Sequence, residues 1–176
     1  MKINALRLQQ HFEAMSLIGK IGETGTCRPA HTELEKQGFK IAASWMQEAG
    51  MKTRIDNFGN LIGRLEGKNP NLPCLMMGSH LDSQPYGGRF DGVAGVLCAI
   101  EVVTTLTENG IQPERPIEVI SFADEEGWRF NKGLFGSRGI LGKLEEGELQ
   151  RTDKDGITRE QALKDFGCDI TKFKAS

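Results

Sequence analysis

The sequence predicts a layered α/β fold, and three observations predict it. A short apolar run, Leu75-Met76-Met77, follows the turn Asn69-Pro70-Asn71. An apolar stretch of helical length, residues 93–106, comes next and stops at Asn109-Gly110. A second strand-like run, Ile117-Glu118-Val119-Ile120-Ser121-Phe122, completes the series. Strand, crossover helix and strand in that order make a right-handed βαβ unit, which needs helices to cover its sheet. The unalternating apolar run at 75–77 predicts a central strand covered on both faces.

The other elements follow in chain order. Leu6, Phe12, Met15, Leu17 and Ile18 mark an amphipathic first helix that ends near Gly19. Residues 22–29, rich in Gly and Thr, read as a loop. Leu34, Phe39, Ala42, Ala43, Trp45 and Met46 repeat at helical spacing through 34–49, and Gly50 closes that helix. Residues 51–55 and 61–65 read as short strands around the turn Asn57-Phe58-Gly59-Asn60. A late helix is predicted over 158–166, with Thr158 as its N-cap and Gly167 as its stop. No repeat, low-complexity tract or interdomain linker interrupts the 176 residues, enough for one domain or part of a larger one.

Composition narrows the function classes. Charged residues are 26% and hydrophobic ones 38%, ordinary for a soluble globular protein. A net charge of -2 and a pI near 6.0 give no reason to expect a nucleic-acid or anionic-membrane partner. No apolar run approaches the roughly 18 residues of a membrane span. Gln9, Gln10, His11 and Glu13 interrupt the N-terminus where a signal peptide needs an apolar core, so a cytoplasmic location is expected. Cys27, Cys74, Cys98 and Cys168 form no CxxC pair and are expected as free thiols, Cys74 and Cys98 as core fillers.

The chemistry gathers after the two βαβ strands, where ligands of layered α/β proteins collect. Gly78-Ser79-His80-Leu81-Asp82-Ser83 follows the first and Ala123-Asp124-Glu125-Glu126-Gly127 the second, with Asp91 flanked by glycines between them. In an extended segment His80 and Asp82 project to one side. A carboxylate there can fix the tautomer of a metal-binding imidazole. Adjacent Glu125 and Glu126 aim in different directions, so one can hold a metal while the other faces a water. A histidine with carboxylates suits zinc, manganese or a similar ion, and two ions sharing a carboxylate make a hydrolytic site. Either cluster alone is ordinarily a capping pair or a solvated loop; the two together at successive strand ends point to metal-assisted hydrolysis. The chain has no Gly-x-Ser-x-Gly elbow and no P-loop, which excludes the common serine-hydrolase and phosphate-binding patterns.

The stretch from Gly78 through His80, Asp82, Gly87-Gly88-Arg89-Phe90 and Asp91-Gly92 resembles the first metal motif of the hydantoinase/carbamoylase amidases. Asp124-Glu125-Glu126-Gly127-Trp128-Arg129-Phe130 resembles their second, Leu134-Phe135-Gly136-Ser137-Arg138-Gly139 the segment after it, and Asn57 through Gly67 also fits. The resemblance implies a catalytic domain like those of the di-zinc aminopeptidases. It implies two divalent ions (zinc, manganese or cobalt), with His80 on one, Glu126 on the other and Asp91 bridging. Asp82 would support His80. Glu125 would be the general base, taking a proton from the attacking water and returning it to the leaving nitrogen. The implied substrate is a small ureido compound, an N-carbamoyl-L-amino acid or N-carbamoyl-β-alanine, with allantoate as the alternative. A cis peptide at Asp91-Gly92 is also implied.

In this family further histidine ligands and a lid or dimerisation domain follow, and no counterpart occurs here; His11 and His31 stand in unrelated contexts. Residues 1–176 are therefore expected to be the N-terminal part of the catalytic domain, truncated and without the lid. Weak metal binding and little turnover are expected of the chain alone. So is an exposed apolar surface or sheet edge through which it associates, as a homo-oligomer or otherwise. A non-catalytic module that pairs with a full-length relative is the reading from another class.

Overall fold

The computed structural model describes residues 1–175. In chain order the elements are α1 (Ala5–Leu17), β1 (Lys20–Ile21), β2 (Gly25–Arg28), α2 (Glu33–Glu48), β3 (Lys52–Ile55), β4 (Leu61–Leu65), β5 (Leu75–His80), β6 (Ser83–Gly87), α3 (Val93–Glu108), β7 (Ile117–Phe122), α4 (Phe135–Ile140) and α5 (Arg159–Phe166). Short 3-10 turns occupy Glu148–Gln150 and Ile170–Ala175. Side chains begin three of the helices by taking up N–H groups that the helix itself leaves free. Asn4 accepts from Arg7, Thr32 from Glu35 and Thr158 from Gln161. Gly167 ends α5 in the left-handed region, at φ 104°.

The main sheet has the order β3-β4-β7-β5. β5 and β7 run parallel, joined by α3, and the other pairs are antiparallel. This is the layered α/β architecture with the expected βαβ unit. Side chains alternate across the sheet, so Ile117 and Val119 face one way and Glu118 the other. The first two join Met46 of α2 and Val96, Leu97, Ile100 and Val103 of α3 in one core. On the opposite face Glu118 pairs with Arg54 at 3.3 Å and Arg64 at 3.4 Å. α1 lies over α3, where Arg7 reaches the buried Glu101 at 2.7 Å.

Three expectations need correction. Residues 22–29 are not all loop: β2 pairs with β1 and β6 in a second sheet. Its partner β6 lies far away in sequence, and Arg28 N–H donates to Ser83 Oγ at 2.9 Å. β5 is not central. Among the described residues it pairs only with β7, and Leu75 and Met76 are 53% and 41% exposed. An apolar run cannot distinguish a strand buried on both sides from one that still has an open edge. All four cysteines are free, but Cys98 is exposed, on the outer face of α3 with Val102 one turn on. Among the described residues no helix is long and apolar enough to cross a membrane.

Candidate active site

Parallel pairing aligns His80, the last residue of β5, with Phe122, the last of β7. The loops that leave the two strands therefore emerge together at one end of the sheet. Asp82, almost fully buried, ties them to each other. Its Oδ1 accepts from the Glu125 N–H at 3.3 Å and its Oδ2 from the Glu126 N–H at 3.2 Å. Its backbone carbonyl lies 3.0 Å from His80 Nδ1, and its carboxylate lies 3.5 Å from the same nitrogen. A carbonyl oxygen can only accept, so Nδ1 carries the hydrogen. In the neutral ring the lone pair then sits on Nε2, which faces Glu125 Oε2 at 3.4 Å and Asp91 Oδ1 at 3.8 Å.

The backbone allows this approach at one glycine. Gly92 has φ 64°, and a Cβ there would lie 2.5 Å from the His80 ring. The resemblance implied a cis peptide at Asp91-Gly92. No cis bond occurs among the described residues, and the left-handed Gly92 makes the turn with a trans bond. Asp91 keeps its side chain 64% exposed at the mouth of the site.

Two groups show the field at this point. Burial alone would lower the His80 pKa, but the hydrogen bond and charge of Asp82, with Glu125 beyond, outweigh it and hold His80 at about 9. Burial pushes the Glu126 carboxyl up, with His80 opposing, and its Oε1 is buried without a hydrogen-bond partner. A buried carboxylate oxygen without a donor, and an imidazole nitrogen turned toward two carboxylates, suit a divalent cation in kind. The arrangement is open rather than closed. Among the described residues, no group of three or more His, Cys, Asp or Glu side chains is gathered tightly enough to hold an ion.

Beneath the site lies a polar layer that sequence reasoning missed. Glu35 accepts from the His31 N–H at 2.6 Å, and burial raises its carboxyl well above the usual range. His31 sits among Phe130, Phe135 and Phe166; burial, then the charges of Arg159 and Arg129, lower its pKa to about 3. Asp124 is pushed up to about 7 by burial, against the pull of Arg159. Glu35 and Arg159 read in sequence as ordinary residues of a first helical turn, and no local pattern marks them as buried.

The profile of peptidase family M28 matches residues 60–155. An N-carbamoyl-L-amino-acid amidohydrolase of Pseudomonas sp. (strain NS671) is 47% identical over 96% of this chain and 41% of its own length. An allantoate deiminase of Arabidopsis thaliana is 37% identical over 88% of this chain and 31% of its own. The crystal structure of a hydantoinase/carbamoylase family amidase from Burkholderia ambifaria superposes with a TM-score of 0.90 at 40% identity. That superposition covers 95% of this chain and 41% of the other. The chain thus spans about two-fifths of the length of the first of these relatives.

Proposed function

Because the chain belongs to peptidase family M28, among its hydantoinase/carbamoylase amidases, we propose that it contributes part of a metal-assisted site for hydrolysis of linear carbon–nitrogen bonds. The substrates of this reading are N-carbamoyl-L-amino acids or N-carbamoyl-β-alanine. The observation that carries it is Asp82, which joins the His80 loop to the Glu125–Glu126 loop through three short contacts.

His80, Asp91 and Glu126 would hold two divalent ions, zinc, manganese or cobalt. When bound, such ions acidify water and polarise a ureido carbonyl. The protein's own groups do the rest. Asp82 keeps the His80 hydrogen on Nδ1 and leaves Nε2 free to ligate. The same carboxylate holds the amides of Glu125 and Glu126, which fixes where the two side chains start. Glu125, about one-third exposed, takes the proton of the attacking water and delivers it to the departing nitrogen. Ammonia, carbon dioxide and an amino acid leave. Three protein ligands shared by two ions hold them weakly, so the chain alone turns over little.

Allantoate carries the same ureido group, and the Arabidopsis relative makes it the second reading. A chimera in which this chain replaces the matching part of the Pseudomonas amidohydrolase tests both. The expected result is ammonia release from N-carbamoyl amino acids, reduced by about 10²–10⁴-fold in Glu125→Gln. A chimera that folds and loads metal but releases no ammonia contradicts the reading, and preference for allantoate favours the second one.

A further inference from the structure

The loop after β7 carries Glu125 and Glu126, and its conformation is held from a distance. Asp124 has φ 48°, a left-handed backbone uncommon outside glycine though more accessible to aspartate than to most residues. The Asp124 side chain is 1% exposed and faces Arg159, which is fully buried at the start of α5. Arg159 Nη2 donates to Asp124 Oδ2 at 2.7 Å and to the Lys132 carbonyl at 2.9 Å. One guanidinium therefore grips the loop where it leaves the sheet and again where it returns.

Neighbours fix the guanidinium in turn. Its Nη1 donates to Glu148, and its plane lies over Phe135 at 4.4 Å and Phe130 at 4.9 Å. Arg138 holds Glu148 with two hydrogen bonds, at 2.8 and 2.9 Å, and donates to the Gly133 carbonyl at 3.1 Å. The loop is closed by backbone bonds from Leu134 to the Glu125 carbonyl and from Phe135 to the Asp124 carbonyl. An apolar side chain would fill this space with a smaller desolvation cost, so what the arginine adds is the fork that reaches several acceptors at once.

We propose that Arg159 is a positioning residue, which aims Glu125 and Glu126 by locking Asp124 and the Lys132 carbonyl from the first turn of α5. The assignment of roles to the two glutamates rests on the reading above, while the clamp itself does not.

The test uses the chain with Arg159→Met and Arg159→Lys, read by residue-resolved amide hydrogen exchange and by cobalt(II) titration. In Arg159→Met the amides of Glu125, Glu126 and Leu134 are expected to exchange about tenfold faster or more, while β7 and α3 keep wild-type rates. Cobalt(II) affinity is expected to fall about tenfold with altered d–d bands, and Arg159→Lys to recover part of both effects. Should Arg159→Met fail to fold, the lysine variant decides by the same criteria. Wild-type exchange at Glu125 and Glu126 in the variants would overturn the proposal. So would a uniform acceleration across β7 and α3, which is the mark of stability alone. Absence of cobalt(II) binding by the wild-type chain would count against the metal reading, and exchange would still decide the clamp.

Discussion

Replacing His80 with glutamine should remove a pH-dependent part of the metal-free chain's stability. The folded structure holds the His80 pKa at about 9 against an ordinary 6.5. At about 1.4 kcal/mol per pKa unit, the proton on this buried ring is worth on the order of 3 kcal/mol. Below pH 6.5 the ring is charged in both states, and the folded carboxylates stabilise it fully. Between 6.5 and 9 the unfolded chain releases the proton while the folded chain keeps it, so the contribution declines. Above 9 it is gone. Glutamine keeps a donor for the Asp82 carbonyl and carries no charge, so comparison with wild type cancels the other titrating groups. Urea unfolding in EDTA at pH 6 and pH 10 measures the effect. The gap between wild type and His80→Gln should be about 3 kcal/mol larger at pH 6. An equal gap at both pH values would refute the geometry assigned to His80, Asp82 and Glu125.

Other outcomes follow from packing and charge. Gly136→Ala puts a Cβ 1.9 Å from Asn60 Oδ1 and 2.7 Å from the Ala123 nitrogen, atoms joined by a 2.8 Å hydrogen bond. A urea midpoint should record a loss of about 1–3 kcal/mol or more. Leu81→Ala empties a fully buried position between His80 and Asp82 and should cost about 2–5 kcal/mol in the same assay. His31 stays neutral down to about pH 3 when folded, but the unfolded chain protonates it near 6.5. Stability should therefore fall as pH drops through that window, and less steeply in His31→Gln. The open β5 edge, with Leu75 and Met76 exposed, should pair chains at high concentration; Met76→Lys should reduce the mass seen by light scattering.

Much of the fold was legible because it is local. The repeats of Phe39, Ala42 and Met46, the cap at Thr158 and the stop at Gly167 each declare themselves within a few residues. The βαβ unit follows from element order and handedness alone. What stayed hidden depends on partners distant in sequence. β2 becomes a strand only because β6 lies beside it, and β5 is at an edge because the described chain offers it one neighbour. At the candidate site, strand parity placed His80 and Asp82 on one side. It could not show that Asp82 meets the ring mainly through its carbonyl and gives its carboxylate to the amides of Glu125 and Glu126. Arg159 was invisible for a similar reason. A buried arginine at a helix start looks in sequence like any charged residue of a first turn.

If the strand-end cluster is a divalent-cation site, cobalt(II) titration of the chain across pH should detect binding that is lost in both His80→Gln and Glu126→Gln. Wild-type affinity should fall about tenfold per pH unit between 9 and 6.5, as the ion displaces the His80 proton. No binding at any pH, or binding indifferent to both substitutions, would rule out a cation site at the ends of β5 and β7.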